Sequence, residues 1–445
     1  MPVSPARAAA FEILMRVERE NSYASELLHA VRYLRLSPAD HGLATELVMG
    51  VLRWRPLLDE HIAAASTQKL SKLDLEILIA LRLGVYQMLY LERIPQHAIV
   101  HESVELVKRA RKRSAAPFAN AVLRKLAEVP RTSNPILEIQ SAATTVALAQ
   151  LSAHPLGLVE RWVEQFGLAT ARAICIYNQT APTVTIRLRD AGVEHELRSA
   201  GLELAAGTMV TRARRILRGD VTKTKAFAAG RVAIQDEASQ LVALLVGRGQ
   251  RLLDCCAAPG GKTSILAERN PKATITAVEL HPHRARLLRK LVSADTVRVL
   301  AADARDIPLA THFDRVLADV PCSGTGTLAR NPEIKWRLKP EDLADLQSRQ
   351  VPILRSAMSH VANGGRLIYS TCSLEPEENS EVIEKALAAD TASFRLLYCR
   401  EELNRLSEEG ELALKDTESL ISGKYLRILP GTHGSDGFFA AILQR

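Results

Sequence analysis

The chain has 445 residues, 47% of them hydrophobic, so it is long for one domain and has ample apolar content for two or three packed, soluble ones. Lys and Arg number 58 against 50 Asp and Glu, and the net charge of +8 favours a polyanionic partner. Arg7, Glu12, Arg16, Glu18 and Arg19 interrupt the first residues and no apolar run approaches a bilayer span, so no signal peptide and no membrane association are expected, and a cytoplasmic location is.

The six cysteines, Cys175, Cys255, Cys256, Cys322, Cys372 and Cys399, form no CxxC pair. In a long cytoplasmic chain this excludes a disulfide framework and a metal site as expectations and leaves individual reactive thiols.

Residues 1–130 read as helical. Apolar side chains recur at helical spacing in Arg7–Val17 (Phe11, Leu14, Met15) and in Asp40–Leu52 (Leu43, Leu47, Val48, Val51); Ile77–Leu91 and Ala98–Val107 continue the pattern on either side of Pro95. A basic run follows at Lys108, Arg109, Arg111, Lys112 and Arg113, with Arg124 and Lys125 one helix further on. By itself such a run is a solvated helix face. The segments LRLGVYQMLYLERIPQHAIVHESVELVK and FANAVLRKLAE, however, resemble the NusB-like helical RNA-binding domain, and the resemblance implies RNA contact.

Glu128–Pro135, EVPRTSNP, reads as a linker. Residues 136–231 are expected to form a small α/β RNA-binding module, with an amphipathic helix at His154–Gly167 and a strand at Thr183–Leu188. Arg187, Arg189, Arg212, Arg214, Arg215 and Arg218 make it basic. The rival reading is an extension packed on the following domain.

From Val232 to Arg445 strand-like and helix-like segments alternate, which predicts a mostly parallel sheet covered on both faces. Strands are expected at Leu252–Cys255, Thr274–Val278, Val297–Ala301, Arg315–Ala318 and Arg366–Ser370, and helices at Thr263–Glu268, Pro282–Ser293, Glu341–Val361 and Pro376–Ala388. Tyr425–Leu429 and Phe438–Leu443 suggest an antiparallel hairpin at the sheet edge.

LLDCCAAPGGKTSILAE (Leu252–Glu268) is strand, loop and helix, and its Gly-Lys-Thr tail invites a phosphate-loop reading. That loop needs a further glycine where Cys256 stands, which argues against it. The acids account for the region better: Asp254, Glu279, Asp303 and Asp319 each close or follow a predicted strand, and in a doubly wound sheet such ends line one crevice. Any one of them alone is an ordinary helix cap. Together they suit the ribose, adenine and sulfonium of S-adenosylmethionine, and the absence of GxGxxG disfavours a dinucleotide.

The runs DCCAAPGGKT, DVPCSGTGTLARNPEIKWR, YSTCSLEPEENSEVI and DGFFAAIL resemble the NOL1/NOP2/Sun family of RNA cytosine-C5 methyltransferases. With the NusB-like front end, the chain is similar over nearly its full length to the bacterial members acting on 16S rRNA. The resemblance implies a Rossmann-like class I methyltransferase domain over residues 232–445. It also implies S-adenosylmethionine as methyl donor and 16S rRNA, unassembled or partly assembled, as partner, with no obligate protein partner.

Carbon 5 of cytosine is a poor nucleophile until a thiolate adds at carbon 6, so one cysteine is the minimum. Local motif logic nominates Cys322, because Pro-Cys is the nucleophile motif of DNA cytosine methyltransferases. The resemblance implies the reverse: Cys372 attacks and Cys322 aids resolution of the adduct. It places Asp319 against the cytosine edge and gives Lys262 a supporting electrostatic role. It lines the cofactor with Cys256, Ala257, Ala258, Pro259, Gly260, Gly261 and Lys262, together with Glu279, Asp303 and Asp319. Cys175, Cys255 and Cys399 read as buried apolar residues. Arg330, Lys335 and Arg337 around Trp336 read either as phosphate and base contacts or as a mixed-charge surface loop. Two rival functions remain: the same chemistry on tRNA or large-subunit rRNA, and a non-enzymatic RNA-binding factor on a degenerate methyltransferase fold.

Overall fold

The computed structural model describes residues 3–128, 135–190, 192–292, 294–389 and 394–445. The chain divides into two compact units, Met1–Ala181 with Leu328–Arg337, and Pro182–Thr327 with Leu338–Arg445. The expected linker falls at 129–134, outside the described residues. The expected 136–231 module is not one unit: its helices Pro135–Ser141, Thr145–Leu151 and Leu156–Gln179 cluster with the first unit and its strands with the second.

The first unit is helical. Pro38–Ala65 starts at Ser37, whose hydroxyl accepts from the Asp40 amide at 3.1 Å, and runs well past the expected Leu52 despite an internal Pro56. Proline has no amide to donate and displaces the preceding turn, leaving carbonyls near Leu52 without helical partners. The Leu328–Arg337 strap supplies them. The Trp336 indole N–H donates to the Leu52 carbonyl at 2.8 Å, and Lys335 Nζ donates to the Arg53 carbonyl at 3.0 Å and the Ala153 carbonyl at 3.1 Å. Arg337 completes the same role at a helix end, donating to the carbonyls of Val17, Asn21 and Ser22 beyond the turn of Pro5–Glu20. These side chains therefore hold carbonyls within the helical unit, which corrects both readings of Lys335, Trp336 and Arg337 given above. Lys335 is only 2% exposed, and burial pushes its ammonium well below its ordinary pKa.

Leu75–Tyr90 is buried over most of its length, and Gly50 of the neighbouring helix is needed there, because a β-carbon would lie 1.9 Å from the Tyr86 ring. Lys108 and Lys112 pair with Glu105 and Asp74 at 2.7 and 2.8 Å, whereas Arg109, Arg111 and Arg113 lie exposed.

The second unit opens with a four-stranded antiparallel sheet of β1 (Thr185–Leu188), β2 (Glu203–Ala206), β3 (Ala213–Arg218) and β4 (Val232–Ile234), in the order β2-β3-β1-β4. Its basic residues are largely committed. Arg187 is 1% exposed and, with Arg189, reaches Glu268 at 3.1 Å, while Arg214 pairs with Glu194 at 2.7 Å. Because Glu268 belongs to helix Gly261–Arg269, Arg187 ties this sheet to the larger one.

The larger sheet begins with five parallel strands, β5 (Arg251–Asp254), β6 (Thr274–Glu279), β7 (Val297–Ala301), β8 (Phe313–Asp319) and β9 (Val361–Thr371). Four short or antiparallel strands follow, β10 (Arg395–Leu397), β11 (Ile421–Ser422), β12 (Tyr425–Ile428) and β13 (Phe438–Gln444). The order is β11-β12-β13-β9-β8-β5-β6-β7, with β10 also pairing β13. The expected C-terminal hairpin forms, but β13 lies inside the sheet between β9 and β12, not at its edge. Alternate residues explain why both faces are buried: Leu252, Leu317, Ile368 and Ile442 enter one core, Leu253, Val316, Leu367 and Phe439 the other. The expected helix Pro376–Ala388 breaks at Asn379 (φ −112°, ψ −103°) into a short turn, Pro376–Glu378, and a helix, Ser380–Ala388.

Candidate active site

The order of the parallel strands reverses between β5 and β8, the succession β5-β6-β7 running one way across the sheet and β8-β9 the other, so their carboxyl ends open a crevice. Asp254 closes β5 and is 1% exposed; one oxygen accepts from the Thr263 hydroxyl at 2.7 Å and the other, Oδ1, is buried with no hydrogen-bond partner among the described residues. Burial pushes its carboxyl up to about 6. Glu279 closes β6 and accepts from the His281 amide at 3.0 Å. Asp303 follows β7, where the Arg305 guanidinium and amide hold its carboxyl below the usual range, the guanidinium Nη2 at 2.6 Å.

Between Asp254 and the helix Gly261–Arg269 the loop is pinned to both neighbours: the Cys255 amide donates to the Leu317 carbonyl at 2.8 Å and the Ala257 amide to that of Val278 at 2.9 Å. Ala258-Pro259 is cis, and Gly260 turns into the helix at φ 114°, where a β-carbon would come within 2.6 Å of Leu288. Burial, with Cys255 and Asp254 behind it, pushes the Cys256 thiol well above its ordinary pKa. Cys175, Cys255 and Cys399 are buried, and burial likewise raises their thiols, Cys175 and Cys399 to about 12.

Cys322 follows β8 and Cys372 follows β9. The two strands pair in parallel with Asp319 opposite Ser370, and the thiol sulfurs come to 3.3 Å across a sequence separation of 50 residues. Lys262 and Ser370 converge on Asp319, the ammonium donating to Oδ2 and the hydroxyl to Oδ1, each at 2.7 Å. Burial works against the Lys262 ammonium, but Asp319 more than offsets it and holds the pKa above its ordinary value; Phe438 presents its ring 5.0 Å away. The hydrogen bond with Cys372, then burial, push the Cys322 thiol well above its ordinary pKa. Gly326 donates its amide to the Cys372 carbonyl at 2.9 Å, and a β-carbon there would lie 2.4 Å from the Gly437 carbonyl, so glycine is required where three loops meet.

The structure thus brings Lys262, Asp319, Cys322 and Cys372 to one point, with Asp254 and Glu279 on the neighbouring strand ends. Asp303 stands apart, beyond edge strand β7. Sequence reasoning missed Glu378 and Asn379, which hold the residues beside both cysteines: the Glu378 carboxylate accepts from the Ser323 amide at 2.8 Å and from the Ser323 and Ser373 hydroxyls, and Asn379 donates to the Ser373 carbonyl at 3.0 Å. The signal available was the run EPEEN directly after the Thr-Cys-Ser unit, but it reads as the solvated first turn of a helix.

Among known proteins, the family described as 16S rRNA methyltransferase RsmB/F matches residues 241–444 and the NusB family matches residues 4–128. A protein of Bacillus subtilis (strain 168), named "Probable ribosomal RNA small subunit methyltransferase B", is 33% identical over 100% of both chains. The ribosomal RNA small subunit methyltransferase B of Pseudomonas syringae pv. tomato is 33% identical over 91% of this chain and 89% of its own. Among solved structures, that of PH0851 covers 100% of both chains at TM-score 0.80 and 24% identity. A methyltransferase homolog protein from Pyrococcus horikoshii covers 68% of this chain and 99% of its own at TM-score 0.56 and 23% identity. These two share the fold. With a NusB-like helical front and a Rossmann-like catalytic sheet, the chain belongs to the RsmB/F (Sun) family of S-adenosylmethionine-dependent rRNA methyltransferases.

Proposed function

We propose that this enzyme methylates carbon 5 of one cytosine in 16S rRNA through a covalent adduct between a cysteine and carbon 6. The observation that carries the reading is the pair of thiols 3.3 Å apart beside the Lys262–Asp319 ion pair. One cysteine suffices for acyl or alkyl transfer, whereas addition to a pyrimidine and its later reversal give work to two. The relatives named for the small ribosomal subunit support 16S rRNA over tRNA or the large subunit.

The residues of the crevice fit S-adenosylmethionine. The partnerless buried oxygen of Asp254 and the carboxylate of Glu279 at adjacent strand ends suit a cationic, hydroxyl-bearing ligand, and the turn Cys256–Gly261 with Lys262 would pass beneath it. When bound, the cofactor supplies a methyl group on a sulfonium to a carbon nucleophile. Cys372 is the attacking thiolate: the Lys262 ammonium stands close enough to interact with it, while Cys322 holds its own proton. Its addition at carbon 6 makes carbon 5 nucleophilic. Asp319 orients the cytosine edge, accepting from the exocyclic amino group and sharing a proton with ring N3, whose protonation assists addition at carbon 6. A base, water at its simplest, then takes the carbon 5 proton, the electron pair of that bond re-forms the 5,6 double bond, and the bond to carbon 6 breaks with Cys372 leaving as the thiolate, Cys322 assisting at that stage from contact distance.

The target base must leave its stack to reach the thiols, so an accessible loop in unassembled or partly assembled rRNA is the substrate state. The exposed Arg109, Arg111 and Arg113 of the helical unit provide sequence-independent phosphate contacts.

Incubating the protein with methyl-labelled S-adenosylmethionine and unmodified small-subunit rRNA is expected to place label in 5-methylcytosine at one position. Label in another nucleoside would overturn the reaction class, and label only on tRNA or large-subunit rRNA would overturn the substrate. Asp303 remains part of this reading as an adenine contact: Asp303→Ala is expected to weaken S-adenosylmethionine binding by about tenfold, the value of one charge-assisted hydrogen bond, with RNA affinity unchanged in a filter-binding assay. A loss confined to RNA affinity would remove Asp303 from the cofactor site.

A further inference from the structure

Glu378 takes no part in the reaction as derived above, yet its side chain is fully buried, at 0% exposure. A buried carboxylate is costly unless its oxygens are satisfied, and all of its donors are uncharged. They come from the two cysteine loops and from one glutamine that grips the first of them. Oε1 accepts from the Ser323 amide at 2.8 Å and from Gln350 Nε2 at 2.9 Å, and the same amide nitrogen of Gln350 donates to the Pro321 carbonyl at 2.9 Å. Oε2 accepts from the hydroxyls of both Ser323 and Ser373. Ser323 follows Cys322 and Ser373 follows Cys372, so one carboxylate joins the residues immediately after the two thiols. The break at Asn379 is what turns Glu378 inward, and Asn379 itself holds the Ser373 carbonyl and accepts from Thr371, on the other side of Cys372.

We infer that Glu378 is a positioning residue that sets the mutual placement of the Cys322 and Cys372 thiols. The inference rests on the two-cysteine reading for its catalytic meaning, but the placement itself can be measured without substrate. Removing the carboxylate leaves the Ser323 amide without its acceptor and loosens the two loops, which are then held by the Ser323–Ser373 hydroxyl contact at 3.1 Å and the Gly326–Cys372 hydrogen bond without the shared anchor; displacements of about 1 Å at a reacting group cost up to roughly a hundredfold in rate. Glutamine can keep the clamp: its oxygen accepts where Oε1 does, and its amide N–H groups donate to the two hydroxyls, which also accept.

The test uses the full chain and diamide, which takes two electrons and two protons from a pair of thiols, forming a disulfide while becoming the hydrazine. Peptide mapping is expected to find a Cys322–Cys372 disulfide forming quickly in the wild type and in Glu378→Gln, and about tenfold or more slowly in Glu378→Ala. In turnover, Glu378→Ala should lower kcat by about ten- to a hundredfold with the KM for S-adenosylmethionine within about twofold, and Glu378→Gln should restore most of kcat. A folded Glu378→Ala protein that crosslinks at the wild-type rate would overturn the inference. If Glu378→Ala does not fold by circular dichroism, the Ser323→Ala/Ser373→Ala double variant decides by the same rate: slow crosslinking supports the clamp and wild-type crosslinking ends it. Methyl label outside 5-methylcytosine would sink the reaction assigned above while leaving the crosslinking result to stand by itself.

Discussion

Replacing Cys372 with Ala is expected to abolish both methyl transfer and any covalent link to RNA, a loss of at least about a thousandfold in turnover, because in the proposed reaction it is the addition of Cys372 at carbon 6 that makes carbon 5 nucleophilic. Cys322→Ala should do something different. The adduct would form, since the attacking thiol and the Lys262–Asp319 pair are untouched, but its breakdown would be slow, and a protein–RNA species should persist on a denaturing gel. The distinction follows from the strand ends. Cys372 lies close enough to the Lys262 ammonium to interact with it, while its hydrogen bond to Cys372 and burial push the Cys322 thiol well above its ordinary pKa. Swapped outcomes would return the nucleophile to the Pro-Cys unit that local motif logic nominates.

Asp319→Ala should lower kcat by about a hundred- to a thousandfold at neutral pH. Two effects add. The cytosine edge loses its acceptor, and Lys262 loses the anion that keeps its pKa raised against burial. With Asp319 gone the downward push of burial is opposed only by Cys372 and Asp254, so the alkaline limb of activity should move to lower pH in the variant. The sign for stability is consistent: a group whose pKa is raised on folding stabilises the protein below its unfolded pKa and loses that contribution as pH rises through the folded value, well above neutrality for a lysine. Asp319→Asn separates the effects, since an amide can still accept from Lys262 and donate to Ser370 but carries no charge. A kcat within about threefold of wild type in Asp319→Ala would remove Asp319 from the reaction.

Much of the catalytic sheet was legible because its signals are local. An alternating strand ending in an acid, then a turn and an amphipathic helix, reads the same in sequence as in space, and Val297–Ala301 is a strand over the expected residues. The thiols were legible too, since a residue just past a parallel strand must face the crevice at that sheet edge.

What sequence could not deliver depends on partners distant along the chain. Lys335, Trp336 and Arg337 carry the composition of a nucleic-acid contact, and only the carbonyls of the helical unit, Leu52 and Arg53 for the first two and Val17 for the third, show why Lys335 is buried and the other two half-buried. Arg187 reads as surface charge until Glu268 is seen 3.1 Å away. Glu378 reads as one more acid opening a helix until the break at Asn379 turns it between two loops. The sequence by itself therefore determined the order of elements, the parallel sheet and the chemistry-bearing side chains, because propensity, periodicity and turn chemistry act over a few residues. Only the tertiary structure decided which charges are spent on internal acceptors and how the two thiols are held at 3.3 Å, because satisfying a buried polar group depends on whichever donor or acceptor folding brings within hydrogen-bond reach.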